Sequence, residues 1–227
     1  MEKDAIQKVM RILRREVRQW DTPIVTLLAE TTRDPFKVLI SCILSLRTQD
    51  GTTREASKRL FAMASSPKEM LGLAGPQIER AIYPVGFYRT KTRTILGICQ
   101  ALQDHYGGGV PEDIPELLKL KGVGRKTANL VVTLGYGKPG ICVDTHVHRI
   151  TNRWGYVRTT SPEKTEFALR RKLPPRYWIE FNDLLVSFGQ NLCRPISPFC
   201  NSCPMERYCD QRGVRHKRGR PTSDRTH

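Results

Sequence analysis

The chain has 227 residues, 39% hydrophobic and 26% charged, which supplies a packed core and excludes a disordered polymer. Its 38 Lys and Arg against 22 Asp and Glu leave a net charge of +16, which favours a polyanionic partner, nucleic acid first among them. The longest apolar run, Val38 to Leu46, is too short to span a membrane and contains Ser41 and Ser45. Met1 is followed by Glu2, Lys3 and Asp4 rather than a basic start and an apolar run, so no targeting segment is expected and the chain reads as soluble and cytoplasmic.

Nearly every periodic segment reads as helix. Ile6, Val9, Met10, Leu13, Val17 and Trp20 recur at helical spacing with Lys and Arg between them, an amphipathic helix with a basic outer face. Asp34-Pro35 offers a cap and a first-turn proline to Phe36–Leu46, which is apolar almost all round, as a buried central helix is. Ser66-Pro67-Lys68-Glu69 has capping-box spacing. Thr90 precedes a helix carrying Ile95, Leu96, Cys99 and Leu102, which stops at Gly107-Gly108-Gly109. Asp113-Ile114-Pro115-Glu116 opens a short helix ending near Leu120, and Gly140 to Val143 can run extended. Thr160-Ser161-Pro162-Glu163 caps a further helix, after which Trp178, Phe181, Leu184, Leu185 and Phe188 form an apolar stripe read as core. Arg212 to Arg220 holds five Lys or Arg and reads as a basic tail, either touching phosphates or simply solvated.

The segment Leu117 to Ala128 joins two helices through a very short Gly-x-Gly turn, Lys121-Gly122-Val123-Gly124. Two glycines let backbone approach a ligand without a Cβ, and the next helix begins there with its free N–H groups and positive dipole end. A DNA phosphate suits such a place, with Lys121 and Arg125 adding charge. Lys126 stands in the first turn of that helix. The same field, with Arg125 beside it, favours the neutral amine, which can attack carbon and form a Schiff base. Taken alone, a lysine there is more often a plain phosphate contact. Asp144, in Val143-Asp144-Thr145-His146-Val147, reads as a helix N-cap that can also place a carboxylate near a reacting sugar. His146 and His148 lack metal-ligand spacing and read as structural.

Cys42, Cys99 and Cys142 lie singly in apolar contexts and read as buried. Cys193, Cys200, Cys203 and Cys209 are spaced C-x6-C-x2-C-x5-C, a strong signal for a tetrahedral sulfur site. Ligand type alone allows zinc or an iron–sulfur cluster. Such a site pins its loop and presents Arg194 and Arg207 to DNA.

The sequence at this point resembles the endonuclease III family, bifunctional DNA glycosylases of the helix–hairpin–helix superfamily. The likeness runs from about Asp34 to Cys209 and is carried by Leu120–Asn129, Val143–Val147 and the cysteine quartet. It implies an all-α, two-domain fold: a six-helix barrel over 28–138, a helical cluster domain from 1–27 and 139–211, and a basic tail over 212–227. It also implies one 4Fe-4S cluster on the four cysteines, Lys126 as nucleophile at C1′ and Asp144 as the assisting carboxylate. The implied partner is double-stranded DNA with damaged bases or abasic sites, bound by a monomer that removes oxidised pyrimidines and then cleaves by β-elimination. The target nucleotide would be flipped from the duplex.

Three positions depart from the family's usual pattern. Lys121 replaces a proline in the turn, Arg47 stands where many members place a glutamine that fills the vacated base position, and Phe87 replaces a common leucine as an apolar wedge. Within the superfamily the rival reading is a mismatch glycosylase without lyase chemistry, which typically lacks a lysine at Lys126. Outside it, the rival is a non-catalytic DNA-binding module with a structural zinc.

Overall fold

A computed structural model describes residues 5–20, 34–216 and 218–219. The stretches 1–4, 21–33 and 220–227 and Lys217 lie outside the described residues, and with them the first residues of the expected barrel and part of the expected tail. In chain order the helices are α1 (Ala5–Val17), α2 (Pro35–Ser45), α3 (Asp50–Met63), α4 (Pro67–Leu71), α5 (Gly75–Ile82), α6 (Tyr88–Tyr106), α7 (Ile114–Leu117), α8 (Arg125–Leu130), α9 (Thr145–Arg153), α10 (Pro162–Lys172) and α11 (Trp178–Asn191). Among the described residues no strand forms. Gly140 to Val143 is irregular chain that buries Ile141, Cys142 and Val143.

The described residues fall into two compact units, one within Pro23–Cys142 and the other within Met1–Thr22 and Val143–His227. In the first, α2 is the centre. Asp34 Oδ1 accepts from the Phe36 and Lys37 amides, Pro35 opens the first turn, and Phe36, Val38, Leu39, Ile40, Cys42, Ile43 and Leu44 are buried. Burying one such side chain contributes about 1.5–3 kcal/mol relative to leaving it in water, so α2 organises the helices around it. α3, α6, α8 and the π-helical turn Val131–Gly135 that continues α8 pack against it. Among the described residues no helix is long and apolar enough to cross a membrane.

Two local expectations are corrected. Ser66 does cap α4, its Oγ accepting from the Glu69 amide at 3.2 Å, but the Glu69 carboxylate reaches the Ser65 amide at 2.7 Å instead of the cap residue itself. α6 starts at Tyr88, two residues before Thr90, because Phe87 takes a left-handed conformation (φ 58°) and its carbonyl accepts from the Lys91 amide at 3.0 Å. α6 ends as expected on a left-handed Gly107.

The second unit packs α11 against α1 and α9. Phe181, Leu185 and Phe188 of α11 are fully buried, and Trp154 meets Phe188 with ring centroids 6.3 Å apart. Arg14 of α1 binds the Glu180 carboxylate through Nε and Nη2 at 2.9 and 2.5 Å, joining α1 to α11 at the surface. Ser161 caps α10, its Oγ accepting from the Lys164 amide. Part of the basic tail is not loose. Arg218 donates its amide to the Pro198 carbonyl at 3.0 Å and accepts from the Asn201 amide at 3.4 Å.

Candidate active site and nucleic-acid interface

The hairpin is held from below. Asp113 Oδ1 caps α7 by accepting from the Glu116 amide at 3.0 Å, and Leu117, Leu120 and Val123 point into the core. The Val123 amide returns to the Leu120 carbonyl at 3.0 Å, which closes the turn. Val123 therefore anchors and has only backbone to offer a ligand. The two glycines have different duties. Gly122 takes φ 92°, and a Cβ there would lie 2.6 Å from Thr94 Cγ2 on α6, so its freedom is spent against the protein itself. Gly124, at φ −98°, caps α8 with nothing within 4 Å of where a Cβ would stand. That open ground, beside the first amides of α8, leaves room for a phosphate to approach backbone.

Lys121 and Lys126 are exposed and Arg125 is half-buried. Lys126 is the second residue of α8, whose Thr127, Ala128, Asn129 and Leu130 are buried and fix the helix in place. Asn129 Nδ2 donates to the Arg125 carbonyl at 3.0 Å, and Thr133 Oγ1 to the Asn129 carbonyl at 2.8 Å, where the helix widens into its π turn. Cys142 Sγ lies 3.8 Å from the Lys126 carbonyl. Cys42 lies beneath, its thiol pushed up to about 12 by burial and pulled only partly back by Lys126. Such a shift favours the thiol over the thiolate.

Arg47 and Phe87 come together in the same unit. Arg47 follows the end of α2 and Phe87 precedes α6; both are left-handed (φ 53° and 58°), and the Arg47 guanidinium lies 5.8 Å from the Phe87 ring centroid. Phe87 is 64% exposed, with Tyr83 at 60% and Leu46 at 38% nearby in sequence. Lys91 was missed by the sequence reading, although it stands on the buried stripe of α6 with Ile95, Ile98 and Leu102. Its Nζ donates to Leu44 O at 2.7 Å, Leu46 O at 2.6 Å and Thr48 Oγ1 at 3.1 Å, and burial lowers its amine to about 8.

In the other unit Asp144 caps α9, Oδ1 accepting from the Val147 amide at 2.8 Å. Two arginines one turn apart on that helix hold the cysteine loop: Arg149 Nη2 donates to Cys193 O at 2.9 Å, and the buried Arg153 donates to Arg194 O and Pro195 O, each at 2.7 Å. His148 Nδ1 meets Thr165 Oγ1 at 2.7 Å, the structural part read from its spacing. Arg194 is exposed over the Phe199 ring, and Ile196 at the loop tip is 83% exposed, a second feature the sequence reading missed.

The four cysteines are half-buried, and burial with mutual repulsion pushes Cys203 up to about 12 and Cys209 to about 11. N–H groups point at sulfur, among them Gln211 N to Cys209 at 3.3 Å and Arg153 Nη1 to Cys193 at 3.4 Å. Donors of that kind suit sulfurs that carry charge, as in a thiolate-bound iron–sulfur group. Among the described residues no three His, Cys, Asp or Glu side chains converge as they would on a single metal ion.

Residues 40–175 match the family described as HhH-GPD superfamily base excision DNA repair protein. Endonuclease III of Thermotoga maritima is 46% identical over 177 residues, covering 78% of this chain and 83% of that protein. The Bacillus subtilis endonuclease III is 36% identical over 187 residues, covering 82% and 85%. The chain belongs to the HhH-GPD superfamily, in its endonuclease III branch. As a member it is an enzyme of base excision repair, a DNA glycosylase. A solved endonuclease III–DNA complex, described as a trapped covalent intermediate with an estranged adenine, superimposes with a TM-score of 0.82 at 34% identity, over 93% of this chain and 97% of that one. The HhH-GPD span takes in Arg47, Phe87, the hairpin, Lys126 and Asp144, and ends before the cysteine quartet.

Proposed function

We propose that this endonuclease III-type glycosylase binds duplex DNA, removes oxidised pyrimidines and cleaves 3′ to the resulting abasic site, with Lys126 as nucleophile. The observation that carries this is an exposed amine at the second position of α8, two residues after the open backbone at Gly124. The trapped covalent DNA complex of a 34% identical relative supports a covalent route. The hairpin amides take a phosphate beside the target, Lys121 and Arg125 add charge, and Arg47, Phe87 and Arg194 reach the DNA.

Lys126 Nζ attacks C1′ of the flipped nucleotide, and the glycosidic electron pair leaves with the base, which takes up a proton. The Asp144 carboxylate stabilises the positive charge that develops on the sugar; one oxygen serves the Val147 amide, so cap and catalytic duties coexist. The sugar ring opens to an imine between Nζ and C1′. Loss of a C2′ proton then expels the 3′ phosphate, and water releases the amine. Cys193, Cys200, Cys203 and Cys209 would hold one 4Fe-4S cluster, which when bound would anchor the Arg194 loop.

The test is borohydride reduction on duplexes bearing thymine glycol, 5-hydroxycytosine, uracil or an abasic site. Covalent trapping on the oxidised pyrimidines and the abasic site is expected, and none with Lys126→Gln. Trapping of Lys126→Gln at wild-type yield refutes the assignment, and equal action on uracil refutes the substrate class. A yellow-brown protein absorbing near roughly 400 nm is expected from iron–sulfur charge transfer. Colourless protein with stoichiometric zinc would overturn the cluster.

A further inference from the structure

Two non-glycine residues in left-handed backbone, side by side and exposed, need an explanation. Such conformations persist only where the surroundings enforce them. At Arg47 and Phe87 the enforcing contacts converge on one residue, Lys91, through its side chain for Arg47 and its amide for Phe87. Lys91 Nζ binds the carbonyls of Leu44 and Leu46 and the hydroxyl of Thr48, which together bracket Arg47. The same residue's amide binds the Phe87 carbonyl at 3.0 Å. Thr48 Oγ1 also accepts from the Gly86 amide at 3.2 Å, and a Cβ on Gly86 would lie 2.8 Å from Arg47 O, so the two loops are in direct backbone contact. A cation at the C-terminal end of α2 also meets the negative end of the helix dipole.

We propose that Lys91 is a positioning residue that locks Arg47 and Phe87 into one paired wedge for insertion into the duplex. Lys91 itself is buried and touches no DNA. The wedge is a preassembled unit: Phe87 supplies the apolar face that separates bases, and Arg47, held over its ring, supplies the hydrogen-bonding head. Loss of the ammonium releases three acceptors at once and frees Arg47 to relax to ordinary backbone, which separates the pair.

This rests on the reading that Arg47 and Phe87 enter DNA, and the experiment keeps the two apart. The probe is a duplex with a tetrahydrofuran abasic analogue and 2-aminopurine opposite, whose fluorescence reports disturbance of the orphan base. Wild type is expected to change the signal, and Arg47→Ala/Phe87→Ala to abolish the change. If that double variant behaves as wild type, the wedge reading fails and the proposal with it. With the wedge reading intact, Lys91→Met is expected to lose the signal and Lys91→Arg to restore most of it; a full signal from Lys91→Met overturns the proposal alone.

A second readout separates positioning from general loss of fold. In borohydride trapping, the duplex to single-strand yield ratio at an abasic site is expected to fall about tenfold in Lys91→Met, the scale of hydrogen bonds lost from a charged donor. A ratio held at the wild-type value, with both yields lowered, marks a structural lysine and overturns the proposal. Should Lys91→Met not fold, Thr48→Val removes the bridge to Gly86 and leaves Lys91 in place. It is expected to weaken the fluorescence change severalfold, and an undiminished change overturns the proposal.

Discussion

The hairpin and the Arg47–Phe87 loops both depart from ordinary backbone, and they solve that problem in opposite ways. The hairpin gives its left-handed position to Gly122, which has no side chain to place. The proposed wedge gives its two left-handed positions to an arginine and a phenylalanine, whose side chains the proposal makes the working part. A turn proposed to act through amides can use glycine, with the buried Val123 as its anchor. A turn that is to act through side chains carries strain, and in the proposal the buried Lys91 is the donor that holds it.

The largest effect should come from Gly122→Ala, which combines a left-handed backbone with a 2.6 Å approach to Thr94 Cγ2. Thermal or urea unfolding is expected to lose about 2–3 kcal/mol. A loss below about 0.5 kcal/mol, the ordinary surface range, would mean that the glycine is not structurally required. Arg47→Gly and Phe87→Gly should behave in the reverse sense. Relief of the left-handed backbone offsets the lost contacts, so stability stays level or rises by up to about 1 kcal/mol while orphan-base disturbance falls. A stability loss of about 2 kcal/mol in either would show that the conformation carries no strain.

Gly124→Ala sharpens the contrast within the hairpin. Its Cβ meets nothing within 4 Å, so unfolding is expected to change by less than about 0.5 kcal/mol while affinity for duplex DNA drops. Unchanged affinity would remove the phosphate from that position. The smallest effect is one of pH. Burial holds the Lys91 amine at about 8, below the ordinary lysine value of 10.5, with no charged partner among its causes. Between those values the unfolded chain carries the extra proton, so this group makes stability rise with pH. Above about 8 the neutral amine has two N–H donors for three acceptors, and the wedge should loosen. The expected result is a 2-aminopurine response that weakens from about pH 8 upward in wild type and stays flat in Lys91→Arg; a flat wild-type response contradicts it.

The parts legible in the sequence are those fixed locally. Asp34, Ser66, Asp113, Asp144 and Ser161 each cap the helix their sequence announced, because an N-cap is a bond within one turn. The hairpin and the cysteine quartet were legible as spacing and became a family pattern together. What escaped was set by contacts distant in sequence. The start of α6 moved to Tyr88 because Phe87 is held by a loop about 40 residues earlier, a separation that no local propensity encodes. Lys91 stood on an apolar stripe, and a charge in such a place was the available signal. Glu69 reached one residue past its expected partner because Ser65 offered both an amide and a hydroxyl.

In the proposed mechanism Lys126 is the residue whose amine bonds covalently to DNA. The direct measurement is peptide mapping by mass spectrometry of the borohydride-reduced complex on abasic-site DNA. One modified peptide is expected, with the sugar remnant on Lys126. Adduct on Lys121 or on Lys91, with Lys126 unmodified, would contradict it.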